Sequence, residues 1–312
     1  MHYYLGIDTS NYTTSAAVYC AETGVITQCK RLLPVKEGSI GLKQSDAVFS
    51  HVRQLPQICQ ELFAKVGPVS LSGVGVSVRP RDVADSYMPC FLVGKGTAEA
   101  IAATWNCPIH PFSHQSGHIM AALYGSQQLS LRHKPFLAFH LSGGTTECLQ
   151  VRPKGQTFQV ELVAKSLDLK AGQAIDRVGV LMGLPFPAGP TLEELAKNSD
   201  VIYRPHPTMK GADCCLSGLE NQCKERLRQG ESREHVARFC LDSIRCTLRE
   251  MTRQVLRQQG EQPLLYSGGV MSNSIIRKDL QEAFGGYFAP REFSADNAAG
   301  IALLAAAEEG ML

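Results

Sequence analysis

No apolar run in the 312 residues is long enough to span a bilayer, so no role inside a membrane is expected. The first residues, Met1-His2-Tyr3-Tyr4-Leu5-Gly6-Ile7-Asp8, lack the basic stretch and apolar core of a secretory signal and read directly as a strand. There are 11 cysteines, but none stands in a CxxC pair and only Cys214 and Cys215 are adjacent. That scatter excludes a disulfide framework. It suits small buried thiols in a reducing compartment, so a cytoplasmic location is expected. An HExxH sequence is also absent, which argues against a zinc peptidase. Net charge is low, at +2, so any contact with nucleic acid needs a local patch. There is no low-complexity segment and no long linker.

What is present is a globular composition, 44% hydrophobic and 19% charged, in a chain long enough for one large or two medium domains. Tyr3 to Ile7 reads as a strand, Asp8-Thr9-Ser10-Asn11-Tyr12-Thr13-Thr14 as a polar turn, and Ser15 to Tyr19 as a returning strand. About 135 residues later the pattern recurs in Phe136 to Leu141, Ser142-Gly143-Gly144-Thr145-Thr146, and Glu147 to Val151. Two hydroxyl-rich hairpins suggest a duplicated domain whose copies face a cleft. Helical spacing covers His51 to Val66, Leu92 to Trp105, Ala174 to Met182, Ser232 to Gln259 and about Asn273 to Phe284. Leu71 to Val78 alternates as a strand, and an alanine-rich helix closes the chain. Strands and helices mixed in this order indicate α/β layers.

The sharpest motif is His114-Gln115-Ser116-Gly117-His118. On a helix, residues four apart share a face, so both imidazoles can reach one metal ion. An ordinary polar pair has the same spacing. Asp296, heading the last helix, offers a third ligand for zinc or non-haem iron, though aspartate is also a common N-cap. Glycine turns at Gly143-Gly144, Gly189 and Gly268-Gly269 are read as following strands, where bare backbone N–H groups can receive a phosphate. Asp176 fits either a ribose hydroxyl or a surface charge pair. Arg245, Arg249, Arg253 and Arg257 form one helical stripe that suits an RNA backbone or a solvated face.

In this order the motifs resemble those of the TsaD family of tRNA threonylcarbamoyladenosine synthases, within the actin/hexokinase-like ATPase superfamily. The resemblance covers nearly the whole chain. Gly6-Ile7-Asp8-Thr9-Ser10 is similar to G-I-E-T-S, His114 to His118 to H-x-E-G-H, and Leu141 to Gly144 to V-S-G-G. Ala171 to Arg177 resembles A-G-E-A-F-D-K, Gly183 to Pro190 G-L-x-Y-P-G-G-P, and Leu216 to Leu219 part of S-G-L-K. Gly268-Gly269-Val270 with Asn273 matches G-G-V-x-x-N, and Asp296 to Ala299 the closing D-N-A/G-A.

The resemblance implies an α/β fold of duplicated actin/hexokinase-like (RNase H-like) domains, with lobes expected at 1–106 plus 293–312 and at 107–292. It implies one divalent metal, iron or zinc, on His114, His118 and Asp296. His140, Leu141, Ser142, Gly143, Gly144, Asp176, Gly189 and Asn273 would line a pocket for threonylcarbamoyl-adenylate, with Gly268 and Gly269 against an adenine nucleotide. The implied reaction is transfer of the threonylcarbamoyl group to adenosine of tRNA. The implied partners are tRNA, a dimerising paralogue and a small ATPase. The chain departs from the pattern at Asn11-Tyr12-Thr13, at Arg79-Pro80-Arg81 in place of a G-P-G loop, at Thr145 in place of a histidine and at Glu220 in place of a lysine. Arg79 and Arg81 could hold a carboxylate such as that of the threonyl group. Two other readings stay open: carbamoyl transfer from carbamoyl-adenylate to a small molecule, and a non-catalytic nucleotide-binding partner of a true synthase.

Overall fold

The computed structural model describes residues 1–34, 42–294 and 298–312, which divide into two compact units. The first holds residues 1–134, 152–160 and 292–312, and the second 135–151 and 161–291.

In the first unit, β1 (Tyr3–Thr9) and β2 (Thr13–Cys20) form an antiparallel hairpin, with Asp8 opposite Ser15 and Thr9 opposite Thr14. The turn is shorter than expected, because Thr13 and Thr14 already belong to the strand. β3 (Val25–Leu32) pairs antiparallel with β2. After α1 (Gln44–Val66), β4 (Leu71–Arg79) returns parallel to β1; α2 (Phe91–Trp105) follows, and then β5 (Ile109–Ser113), parallel to β4. α3 (His114–Gly125) starts at once. Strand alternation sets the two faces. Leu5 and Ile7 join a core with Leu55, Ile58 and Leu62 of α1 and Ala98 and Ala102 of α2. Gly6 and Asp8 therefore point to the opposite face.

The second sheet repeats this plan. β6 (Phe136–Leu141) and β7 (Thr146–Lys154) form the hairpin, and β8 (Thr157–Lys165) returns after two residues, a link that suits only an antiparallel neighbour. Then come α4 (Ala171–Leu181), α5 (Gly189–Lys197), the short β9 (Thr208–Lys210) and β10 (Asp213–Cys215), α6 (Gly218–Arg228) and α7 (Arg233–Gln259). β11 (Leu264–Ser267) lies parallel to β6; α8 (Ser274–Phe284) follows it and precedes β12 (Tyr287–Phe288), parallel to β11. The chain ends with α9 (Arg291–Ser294) and α10 (Ala299–Glu308).

The two sheets have orders β3-β2-β1-β4-β5 and β8-β7-β6-β11-β12, one topology used twice. The expected duplication is thus present throughout each sheet and not only in the hairpins. α10 packs on the first sheet through small residues. A β-carbon on Gly6 would collide with the Ala298 carbonyl, and one on Gly300 with the Gly117 carbonyl of α3.

Gly189 corrects a sequence expectation. It follows a loop after α4 and opens α5, instead of closing a strand. Arg245, at the start of the arginine stripe, needs correction too. Arg245 is buried and bonds Asp242 (2.8 Å), Asp279 (2.8 Å) and the Tyr203 carbonyl (2.9 Å). Arg249 shares Asp279 at 3.0 Å, and Arg253 pairs with Glu250. Only Arg245 is internal structure, because a buried guanidinium must be paired; Arg249 and Arg253 are partly exposed and Arg257 is exposed, which fits the solvated-face reading.

Candidate functional site

In the first unit the carboxyl ends of β1, β4 and β5 bring Asp8, Ser77 and Ser113 together with the first turn of α3. Asp8 is fully buried and its Oδ1 accepts from Ser77 Oγ. The same oxygen lies 2.9 Å from His114 Nδ1. A carboxylate accepts, so Nδ1 carries the proton and His114 Nε2 keeps its lone pair. That Nε2 is 2.9 Å from His118 Nε2, with the rings nearly perpendicular and their centroids 4.3 Å apart. Nitrogens bound tetrahedrally to one zinc at about 2.0–2.1 Å sit roughly 3.3–3.4 Å apart. The pair is thus within about half an ångström of the spacing of two ligands on one ion, and Asp8 stands where such histidines use a carboxylate to fix their tautomer. Among the described residues no three His, Cys, Asp or Glu side chains gather to hold a metal. Asp296, the expected third ligand, lies outside the described residues.

The loop after β4 is tied to the same helix. Arg79 Nη2 pairs with Asp82 Oδ1 at 2.9 Å, so its charge has a partner within the chain. Asp82 Oδ2 accepts from Ser113 Oγ (3.0 Å) and Ser116 Oγ (2.6 Å), and Gln115 N–H donates to the Pro80 carbonyl (3.0 Å).

In the second unit His140 to Gly144, Gly268, Gly269 and Asn273 lie at or just after the carboxyl ends of β6 and β11, where open α/β sheets bind ligands, while Asp176 lies on α4 and Gly189 opens α5. His140 and Ser267 are register partners, with Nδ1 3.1 Å from Oγ. The turn at Ser142 closes by a bond from its N–H to the Thr145 carbonyl (2.8 Å). A β-carbon on Gly143 or Gly144 would meet nothing within 4 Å, so the turn faces open space. Gly172 lets α4 press against it: a β-carbon there would lie 2.7 Å from Gly143 N. The two glycines after β11 differ in role. Gly268 has φ +97° and its α-carbon abuts the Leu141 backbone, whereas Gly269 faces open space. Asn273 caps α8, its Oδ1 accepting from Ile275 N–H (3.1 Å) and Ile276 N–H (3.2 Å). Asp176 accepts from Ala188 N–H at 2.9 Å, which orders the chain just before Gly189. Burial raises the Asp176 pKa, and the Ala188 N–H opposes it only in part.

Sequence reasoning missed the roles of Asp8, Asp82 and Asp168. Asp8 carried a signal, an acid at the end of an apolar strand. Asp168 is held near 2: desolvation pushes it up, but the Ser217 side chain and the N–H groups of Leu216, Leu169 and Ser217 outweigh that. It secures the entry to α6. Nothing in its local sequence marks it.

Two sheets of shared topology, each with polar residues at the carboxyl ends of its strands, define an actin/hexokinase-like ATPase fold. The structure is similar to component A of the Acidaminococcus fermentans (R)-2-hydroxyglutaryl-CoA dehydratase, at TM-score 0.59 and 16% identity over 100% of this chain and 99% of that one. It is similar to a ROK hexokinase from Thermus thermophilus, at 0.56 and 13% over 99% of each. It also matches full-length HypF in its phosphate- and nucleotide-bound form, at 0.60 and 14%, over 99% of this chain but 46% of that one. The chain belongs to the TsaD family, tRNA N6-adenosine threonylcarbamoyltransferase, whose model matches residues 39–303. That places it among enzymes that transfer a carbamoyl-type acyl group. Among the described residues no helix is long and apolar enough to cross a membrane.

Proposed function

We propose that this chain transfers a threonylcarbamoyl group from its adenylate to the adenosine amine of tRNA. The observation that carries the reading is the His114–His118 pair, with Nε2 facing Nε2 and Asp8 behind, in a chain of this family. His114 and His118, with Asp296, would hold one divalent iron or zinc. Bound there, the ion would act as a Lewis acid on a carbamoyl or phosphate oxygen. Asp8 keeps the His114 proton on Nδ1, away from the ligand position. The open backbone at Gly143 and Gly144 would receive the donor, where N–H groups stabilise an oxyanion. His140, Leu141, Ser142, Asp176, Gly189 and Asn273 would complete the adenylate pocket, and Gly269 would lie against the nucleotide. Gly268 supports that turn from below. The enzyme would work in the cytoplasm with tRNA, a dimerising paralogue and a small ATPase.

One observation favours a second reading, carbamoyl transfer from carbamoyl-adenylate to a small molecule. The family's glycine loop is here Arg79 to Asp82, with Arg79 bonded to Asp82, and its lysine is Glu220, 3.4 Å from Arg177. A different acceptor would suit these changes. A reconstituted assay with labelled threonine, bicarbonate, ATP, tRNA, the donor-forming enzyme and the partner proteins separates the two. Label in tRNA that depends on His114 supports the synthase. A metal-loaded, nucleotide-binding protein that never labels tRNA moves the choice to the small-molecule acceptor.

A further inference from the structure

We infer that Asp82 is a positioning residue for the His114–His118 pair. The inference rests on the metal reading of that pair. His114 is the first residue of α3, so no earlier helical turn restrains its backbone. The first N–H groups of a helix have no partner within it, and unless something else receives them the first turn frays. Here the loop after β4 and the cap residue Ser113 receive two of them. Gln115 N–H reaches the Pro80 carbonyl at 3.0 Å, and Ser116 N–H reaches Ser113 Oγ at 3.0 Å. Ser113 Oγ can then send its own proton to Asp82 Oδ2 (3.0 Å), as does Ser116 Oγ (2.6 Å). The other carboxylate oxygen is held by Arg79 at 2.9 Å.

Asp82 therefore locks the cap residue before His114 and the residue midway between the histidines. It also brings a negative charge to a helix N-terminus, where the dipole favours it. An amide replaces it poorly. Asparagine keeps the shape but carries no charge and has one acceptor oxygen, so its NH2 either faces the Arg79 guanidinium, donor against donor, or turns to the two serine hydroxyls, which must then rotate to accept and lose their acceptor. The cap would loosen, and with it the angle between two rings whose nitrogens must meet one ion within a few tenths of an ångström.

The test uses full-length protein stripped of metal and titrated with Co2+, followed by its visible absorption, with Zn2+ in competition. Loss of an outer-shell partner typically lowers metal affinity roughly 10- to 100-fold, and that is the drop expected for Asp82→Asn, with an altered Co2+ spectrum. The metal-free melting curve should stay close to wild type. Ser116→Ala should move affinity the same way by less, and it decides the matter if Asp82→Asn does not fold. A purely structural role would lower the melting temperature and leave affinity and spectrum alone. Wild-type affinity and spectrum in both variants would overturn the inference. His114→Ala is the control. If it too binds like wild type, the metal reading fails and takes the inference with it. If only His114→Ala loses metal, the positioning role alone fails.

Discussion

The carboxyl end of β1 and the carboxyl end of β6 are the same place in two copies of one fold, and they carry different chemistry. In the first unit Asp8 on β1 meets Ser77 on β4; in the second His140 on β6 meets Ser267 on β11. The hairpin partners correspond as well, Ser15 opposite Asp8 and Glu147 opposite His140. A buried carboxylate can only accept, and Asp8 uses that to fix an imidazole brought by α3. His140 is itself an imidazole, followed by a turn of two unobstructed glycines. The same scaffold is present twice, with different polar residues at the equivalent strand ends. The first unit presents a fixed pair of imidazoles and the second an open glycine turn.

The largest expected effect tests how much the first unit depends on close packing that the glycine turn of the second does not share. Gly300→Val would drive a side chain into the Gly117 carbonyl. Backbone must move, and destabilisation of about 3 kcal/mol is expected, read by chemical denaturation. A fully stable variant would show that α10 can shift away from α3. Next, Asp8→Asn should weaken metal binding roughly 10- to 100-fold, the cost of losing an outer-shell carboxylate. Unchanged affinity would mean that the His114 tautomer is set by something other than Asp8.

Acid should separate the two units. His51 in the first is fully buried between Thr14 Oγ1 (2.8 Å) and the Ser10 carbonyl (2.9 Å), and burial lowers its pKa. The unfolded chain then binds a proton more readily than the folded one, so stability falls as pH drops below about 6.5. In the second unit Asp168 is held near 2, so its contribution is present above about 4 and is lost as pH falls towards 2. Hydrogen exchange followed against pH should show α1 losing protection before α6. The reverse order would contradict both assignments. The smallest effect on stability is expected for Gly269→Val. Its β-carbon meets nothing within 4 Å, so the cost should stay within about 0.5 kcal/mol while nucleotide affinity falls. Calorimetry showing full affinity in the folded variant would move the nucleotide site elsewhere.

Much of the fold is legible in the chain because its buried strands and long helices carry strong periodicity. β1, β4, β6, α2 and α7 lie close to where the apolar pattern puts them. β3 is not legible. It is an edge strand, half exposed, whose polar residues break the alternation. β5 and β12 are too short to show a period. Gly189 misleads because a glycine between prolines looks the same after a strand or before a helix. The arginine stripe misleads because spacing places residues on one face of a helix without saying what covers that face. Here Asp242, Asp279 and Tyr203 cover its first member, Arg245.

Residue order alone determined the α/β class, the repeat of the hairpin, the helical face shared by His114 and His118, and the family. These follow from local periodicity and from motifs that survive in linear order. Only the tertiary structure decided that Asp8 sits behind His114, 106 residues away, and that Asp82 reaches Ser113 and Ser116. The same holds for the two glycines after β11, of which one is pressed against Leu141 and the other is open. The reason is physical. A side chain's partner depends on which strands become neighbours and in what register, and register is a property of the assembled sheet.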